Sequence, residues 1–306
     1  MLSFFIVGGW PRRVAAPLVT VMTAALFVMA AGWFVLARRR GSLAGTTLTA
    51  PWAWTAVAWT VVCGVEAAAA RSPASYWESW RFVAATGLFT PIVALLGAKR
   101  PQDRGWVFVV ATLWGIAALP AGENWVAHPG QALEVGDARG WFLLAMILLG
   151  LIVLAPTRHL LGAIALAAAQ LALLKPHLPV PLPDSFGPSW GVSLLGVAVL
   201  SGFWSTRPLS PLSAARRSSL DRTWLRFRNA FGLLWGLRVV ERMNAVGRRQ
   251  GWRSQLSWQG FRDRQSGRLQ AVPEAERAAV QIALTNLLRR FVSPDWLDYQ
   301  DEPEID

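Results

Sequence analysis

The feature that constrains the fold most strongly is a series of long apolar blocks that carry almost no charge. The first block, residues 14–36, has 23 residues without a charged side chain and ends just before Arg38-Arg39-Arg40. A helix of that length crosses the ~30 Å hydrocarbon core of a bilayer, because each residue advances the helix by ~1.5 Å. Charged residues make up only 16% of the 306-residue chain, against about 25% in a soluble domain. We therefore predict that this chain is embedded largely in a lipid bilayer.

Six further apolar blocks follow the first, so the sequence predicts about seven transmembrane helices. The last four blocks have 15–17 residues and would span only ~22–26 Å, so flanking side chains would have to snorkel or the bilayer would have to thin. Block 160–174 is rich in alanine, contains Gln170, and could instead be a re-entrant helix. The predicted segments are 14–36, 51–70, 82–98, 105–120, 141–156, 160–174 and 188–204.

The distribution of Lys and Arg predicts the orientation of the chain. With the N-terminus outside, the short inner loops carry seven basic residues and the outer segments six, which is a narrow difference. Residues 205–294 then add 17 Arg and no Lys, with only five acidic residues. Because basic residues accumulate on the cytoplasmic side, we expect the N-terminus outside and the C-terminus in the cytoplasm. The expected location is a bacterial-type inner (plasma) membrane.

The chain after the last apolar block predicts a second, smaller unit. The predicted division is a transmembrane bundle (1–204), a turn-rich linker (205–219), an Arg-rich helix–hairpin–helix domain (220–294) and an acidic tail (295–306). The tail holds six acidic residues and no basic one. The predicted fold class is thus an all-α polytopic membrane helix bundle with a small C-terminal α+β cytosolic domain. We expect the domain to fold when it is expressed alone.

Local patterns predict the elements of that domain. A long helix over 222–247 would be capped by Asp221, and Pro273 would take the first position of a second helix over 274–291. Between them, residues 256–262 and 268–272 would pair around the turn Gln265-Ser266-Gly267.

Four residues of the predicted bundle and its loops are candidates for a functional role. Glu66 is the only acidic residue inside a strongly apolar block. It lies near the outer end, where it could reach headgroups or Arg71, so we favour a structural role and expect Glu66→Gln to leave complex assembly and any assayed activity nearly intact. Gln170 is a polar residue that a transporter could use. Glu123 and His128 lie on the predicted outer face. There His128 and His177 could hold a metal or a haem together with Glu66 or Glu123, and an enzyme site could use Glu66, Glu123, His128 or Glu134.

We expect no catalytic residue, metal or cofactor, since the histidines are widely spaced and no GxSxG, P-loop or HExxH motif occurs. The single cysteine, Cys63, cannot form an intrachain disulfide.

The long C-terminal helix carries the candidates for membrane or partner contact. Trp224, Phe231, Trp235 and Val239 fall on one face, but arginines interrupt that apolar stripe. We therefore expect a mixed surface that packs partly on the hairpin and lies partly at lipid headgroups. The predicted contact residues are Arg222, Arg226, Arg228, Arg238, Arg242, Trp224 and Trp235.

The expected partners are anionic lipids of the bilayer and other membrane or cytosolic protein subunits. Nucleic acid is the less favoured partner, since a basic face beside a membrane has a simpler cause. The sequence favours a non-catalytic membrane subunit or scaffold whose cytosolic domain docks a partner protein or the anionic leaflet. The alternatives are a small-solute transporter or channel-like protein, and a membrane enzyme with its site on the outer face.

Overall fold

The chain forms a helix bundle followed by a small domain with one two-stranded sheet. The computed structural model describes residues 12–71, 74–101, 103–129, 131–204 and 218–298. Within these residues, five helical stretches are long and apolar enough to cross a membrane, and two further apolar helices are shorter. The five stretches are Thr49–Ala69, Trp77–Leu96, Gly105–Ala127, Asp137–Leu154 and Leu160–His177. The shorter apolar stretches, each part of a longer helix, are Ala25–Arg38 and Pro188–Ser201.

In the part of the chain that the structure describes, the bundle has eight helices. Short 3-10 turns follow α1 and α7, at Gly41–Leu43 and Lys175–His177. The helices are α1 (Arg12–Arg40), α2 (Thr49–Ala69), α3 (Ala74–Gly87), α4 (Thr90–Leu96), α5 (Asp103–Ala127), α6 (Asp137–Leu154), α7 (Leu160–Leu174) and α8 (Pro188–Trp204).

Three of the predicted segments differ in length or continuity from the helices observed. Segment 105–120 was too short, because α5 continues through the buried Pro120 to Ala127; a proline costs a helix one hydrogen bond but need not end it. Block 160–174 reaches membrane length because the 3-10 turn extends it to His177. Segment 82–98 is interrupted at Leu88-Phe89, between α3 and α4.

Small residues allow α7 and α8 to pack closely. Ala169 is fully buried, and a Cβ built on Gly191 would lie 2.6 Å from Cγ of Leu173. A Cβ at Gly162 would similarly approach Oγ of Ser201 to 2.7 Å. The alanine-rich sequence made the prediction of α7 as a transmembrane helix uncertain. The structure shows that these small side chains allow α7 to approach α8 closely.

The C-terminal domain consists of three helices and one hairpin. Ser218 caps the first helix by accepting a hydrogen bond from the backbone N–H of Asp221. Asp221 is therefore not the cap that the sequence predicted; its Oδ1 instead accepts the N–H of Phe261, 2.7 Å away, which ties the helix to the hairpin. The elements are α9 (Ser219–Arg249), β1 (Ser254–Ser257), β2 (Gly260–Asp263), α10 (Glu274–Leu288) and α11 (Pro294–Asp298).

Helix α9 is not continuous, because it breaks direction at Gly232. This residue has φ 72° and ψ −169°, a conformation that is essentially restricted to glycine. A Cβ there would lie 2.9 Å from the carbonyl oxygen of Val153, at the end of α6. The break thus occurs where α9 passes against the bundle.

The predicted hairpin had the wrong register. The strands pair around Trp258-Gln259, with Ser257 opposite Gly260, so the turn falls inside the predicted first strand. The expected turn at 265–267 does form, since Oδ1 of Asp263 accepts the N–H groups of Gln265 and Ser266. It is followed by a single bridge between Arg262 and Leu269 rather than by a strand. Pro273 likewise precedes α10 as its cap instead of occupying its first position.

The C-terminal domain packs against one end of the bundle, here called the basal end, formed by the loops 41–48, 97–101 and 155–159. A single hydrophobic core crosses this contact and includes residues of both units. Its members include Leu48, Ile92, Leu95 and Val153 from the bundle and Trp224, Phe227, Phe231 and Phe291 from the domain.

Candidate functional site

Hydrogen bonds fix the C-terminal domain to all three loops of the basal end. The indole N–H of Trp235 donates to the carbonyl of Leu95 at 2.8 Å, and that of Trp258 donates to Pro156 at 2.9 Å. Because an indole N–H is a directional donor, both bonds also restrict the orientation of the rings.

The segment after α10 adds backbone bonds to the same end. The N–H of Thr47 donates to Phe291 at 2.9 Å, and the N–H of Arg100 donates to Arg290 at 2.9 Å. The N–H of Ser293 completes the set by donating to the carbonyl of Gly45 at 2.6 Å. Together with the shared core, these bonds make the domain an extension of the bundle rather than a freely tethered unit.

A groove, here called the basic groove, runs between the second half of α9 and helix α10. Its volume is about 790 Å³, and it begins beside Lys99 at the basal end. The floor is apolar and aromatic, with Trp235, Val239 and Phe291 among its residues. Ile282 projects into it with 62% of its surface exposed.

Helical periodicity explains how two helices form this groove. On α9, the lining residues recur every three or four positions from Trp235 to Gln250, a distance of ~22 Å along a helix. On α10 and the residues after it, the same spacing runs from Ala279 to Phe291. Two parallel stripes of this kind create a concave surface about four turns long.

The charges that line the groove are all positive among the residues that the structure describes. The four cations are Lys99, Arg238, Arg242 and Arg290. Arg238 also contacts Glu241 at 3.2 Å, but both side chains are well exposed, so solvent screens this pair. The groove therefore combines an apolar floor with a basic rim.

The structure divides the predicted contact residues of α9 into two groups. Trp235, Arg238 and Arg242 line the basic groove, as a surface role requires. Trp224 is fully buried and its indole N–H donates to Ser257, so its predicted surface role does not fit this structure. Arg228 also points inward and donates to the carbonyl of Trp258 at 2.7 Å.

The remaining two arginines lie outside the groove. The guanidinium of Arg226 stacks over the ring of Trp296, with 4.9 Å between its Cζ and the ring centroid. Arg222 lies in the first turn of α9 with an exposed side chain. The first half of α9 therefore packs on the hairpin and on α11, and the second half lines the basic groove.

At the opposite end of the bundle, Glu66 forms a buried ion pair. Its carboxylate accepts two hydrogen bonds from Nε of Arg81, at 3.1 and 3.3 Å, and one from Nη2 at 3.2 Å. Glu66 is only 2% exposed, so it is not at the surface, and the hydrogen bonds go to Arg81 rather than to Arg71. A buried carboxylate that is paired in this way links α2 to α3 and needs no further function to explain it.

The other two outer candidates do not join Glu66. Glu123 pairs with Arg139 at 3.2 Å in an exposed contact between α5 and α6. His128 is exposed beyond the end of α5. In the parts of the chain that the structure describes, no three His, Cys, Asp or Glu side chains come together as a metal site would need.

Gln170 is the fourth candidate, and it lies inside the bundle. It is 4% exposed and lines an internal cavity between helices.

Comparison with known proteins adds no further constraint, since no protein family, no curated protein and no solved structure matches the chain significantly.

Sequence reasoning did not predict three members of the basic groove. Lys99 was counted only among the basic residues of the inner loops, and Arg290 only among the 17 arginines of residues 205–294. Ile282 gave no signal of its own. The 3–4 residue spacing from Ala279 to Phe291 was the available indication, but only the packing of α9 beside α10 shows that the two stripes face each other.

Proposed function

We propose that this protein is a non-catalytic membrane subunit whose C-terminal domain docks an acidic, apolar-faced segment of a partner protein in the basic groove. The bundle would anchor the domain, with all seven apolar segments crossing the bilayer. The basal end would face the cytoplasm, and the N-terminus would face the other side. The observation that carries the proposal is the basic groove itself, held rigidly at one end of the bundle.

The outer surface of the bundle supports the membrane setting. Phe108 of α5 is 78% exposed and Leu161 of α7 is 73% exposed, and both belong to helices of membrane length. Large apolar side chains that are exposed on helices of membrane length are expected in contact with lipid tails.

The shape of the groove supports a protein segment as the occupant. An amphipathic helix binds by inserting its apolar face into a hydrophobic groove, and about four turns would match the length of this one. The rim cations would attract acidic residues on the flanks of such a helix and fix its register. A flat anionic leaflet would reach the rim but would leave the apolar floor unfilled, so we place leaflet docking second.

A photo-crosslinking experiment in native membranes tests the proposal. A photoreactive residue at Ile282 lies in the groove, whereas one at Leu269, with a similar exposed fraction of 59%, lies outside it. We expect one discrete cross-linked protein from position 282 and none from position 269.

Charge variants supply the matched control. Arg238→Gln with Arg242→Gln removes two rim charges, and Arg248→Gln with Arg249→Gln removes two charges from the same helix outside the groove. The first pair should reduce the cross-link about tenfold, taking each rim charge at ~0.7 kcal/mol, and the second should leave it nearly unchanged. Cross-links to lipid alone would favour leaflet docking. Equal cross-links from both positions, or equal losses with both charge variants, would overturn the proposal.

A further inference from the structure

The bundle contains a partly open internal cavity of about 260 Å³ whose walls are almost entirely apolar. It lies between α2, α4, α6 and α7, and α9 closes it at the basal end through Ala230. Ile92, Gly150 and Ala167 are typical of its lining. No charged side chain lines the cavity, among the residues that the structure describes.

Gln170 is the polar group of this cavity that has no partner. The residue as a whole is 4% exposed, and no hydrogen bond to its side chain is formed within the described parts of the chain. The other polar side chains of the lining are engaged: the Thr55 hydroxyl donates to Pro51 at 2.8 Å, and the Trp52 indole donates to Leu36 at 3.0 Å. An amide offers two donors and an acceptor, so this group is available to a ligand that enters the cavity.

The chemistry of the walls restricts what can occupy the cavity. An ordered water needs two to four polar partners, and the amide with one hydroxyl cannot support water throughout 260 Å³. An apolar cavity of about 150 Å³ can hold benzene, so this one has room for a larger apolar body. An ionic ligand is excluded, because no charged group of the lining would compensate its burial.

We propose that this cavity binds a neutral, membrane-soluble molecule through a hydroxyl or carbonyl oxygen that hydrogen-bonds to the Gln170 amide. The apolar body of the molecule would lie toward the basal end, against Ile92 and Ala230. This inference is independent of partner docking in the basic groove and rests only on the membrane setting, which gives such a molecule access.

Two photoreactive probes of equal length test this assignment on the purified full chain in lipid nanodiscs. One is a diazirine-bearing dodecanol, and the other is the corresponding dodecane without the hydroxyl. In the wild-type protein, peptides of α6 and α7 that line the cavity should be labelled roughly fivefold more by the alcohol, as one net hydrogen bond provides. Gln170→Leu should reduce labelling by the alcohol to the level of the alkane.

A cavity-filling variant keeps the test decisive if Gln170→Leu does not fold. Gly150 lines the cavity, and a Cβ built on it meets nothing within 4 Å, so Gly150→Leu can fill the space without displacing the backbone. Gly115, on α5, is equally open but does not line the cavity, so Gly115→Leu is the matched control.

Gly150→Leu should abolish labelling of the cavity peptides by the alcohol, and Gly115→Leu should preserve it. Equal labelling by both probes in the wild-type protein, or undiminished labelling in Gly150→Leu, would overturn the proposal.

Discussion

Replacing Gly232 by alanine should destabilise the break between the two halves of α9. At φ 72° and ψ −169°, the backbone conformation costs a non-glycine residue about 1–3 kcal/mol. The new Cβ would also lie 2.9 Å from the carbonyl oxygen of Val153 and 3.0 Å from its Cγ1, and the carbonyl belongs to a helix that cannot move freely. Gly232→Ala should therefore destabilise the protein by at least ~2 kcal/mol.

Thermal unfolding of the purified protein in detergent measures this effect. A loss of ~2 kcal/mol should lower the midpoint by about 4–8 °C, taking the relation for chains of comparable size. Gly115→Ala is the control, because a Cβ at that helical site meets nothing within 4 Å and alanine favours a helix by up to ~1 kcal/mol. An unchanged or higher midpoint for Gly232→Ala would refute the argument that glycine is required at the break.

Three further outcomes follow from the structure. Glu66→Gln should destabilise the protein by leaving Arg81 without its buried partner, and a double-mutant cycle with Arg81→Gln should give an interaction energy of roughly 0.5–3 kcal/mol; additive effects would contradict the pairing. Burial raises the pKa of Glu276, but the N–H groups of Arg253 and Ser254 donate to its carboxylate and lower the pKa by more. The net result is a pKa below the ordinary value of 4.5. Its contribution to stability is thus present above about pH 4.5 and lost as the pH falls through the lowered pKa, so Glu276→Gln should flatten the acid limb of a stability–pH curve, and an identical limb would contradict this. Truncation after Asp298 removes four acidic residues that would compete with an acidic peptide for the basic groove, so it should strengthen binding of that peptide at low salt. Unchanged binding would show that the tail does not compete.

The sequence predicted those features of the bundle that are local properties of the chain. Length and apolarity of a segment determine whether it can form a long helix, so all seven blocks correspond to helices and five of them reach membrane length. The errors arose where one residue has two possible effects. Pro120 can end a helix or be tolerated inside it, and Gly232 can lie within a helix or break it. Neither outcome can be decided without the neighbouring helices.

The candidate sites were predictable as residue types but not as contacts. Glu66 was singled out as the acidic residue inside an apolar block, but it is buried rather than at the headgroups, and its partner lies in another helix, 15 residues away along the chain. The face shared by Trp224, Phe231 and Val239 was recognised, but its burial depends on the hairpin and on α10.

Independent folding of the C-terminal domain stays a prediction. The core that the domain shares with Leu48, Leu95 and Val153 indicates that an isolated fragment would expose apolar surface. Experiments on the domain therefore require the full chain.

The accessibility of single cysteines to an impermeant reagent tests the central claim most directly, namely that the bundle crosses the membrane with the C-terminal domain on the cytoplasmic side. In a Cys63→Ala background, exposed positions are Ala44 and Arg158 at the basal end and Gln265 in the C-terminal domain. Exposed positions beyond the opposite ends of the helices are His128 and Asp184. We predict that cysteines at 44, 158 and 265 react in inside-out vesicles but not in intact cells, and that those at 128 and 184 show the reverse. Reaction of both groups from the same side would contradict the account.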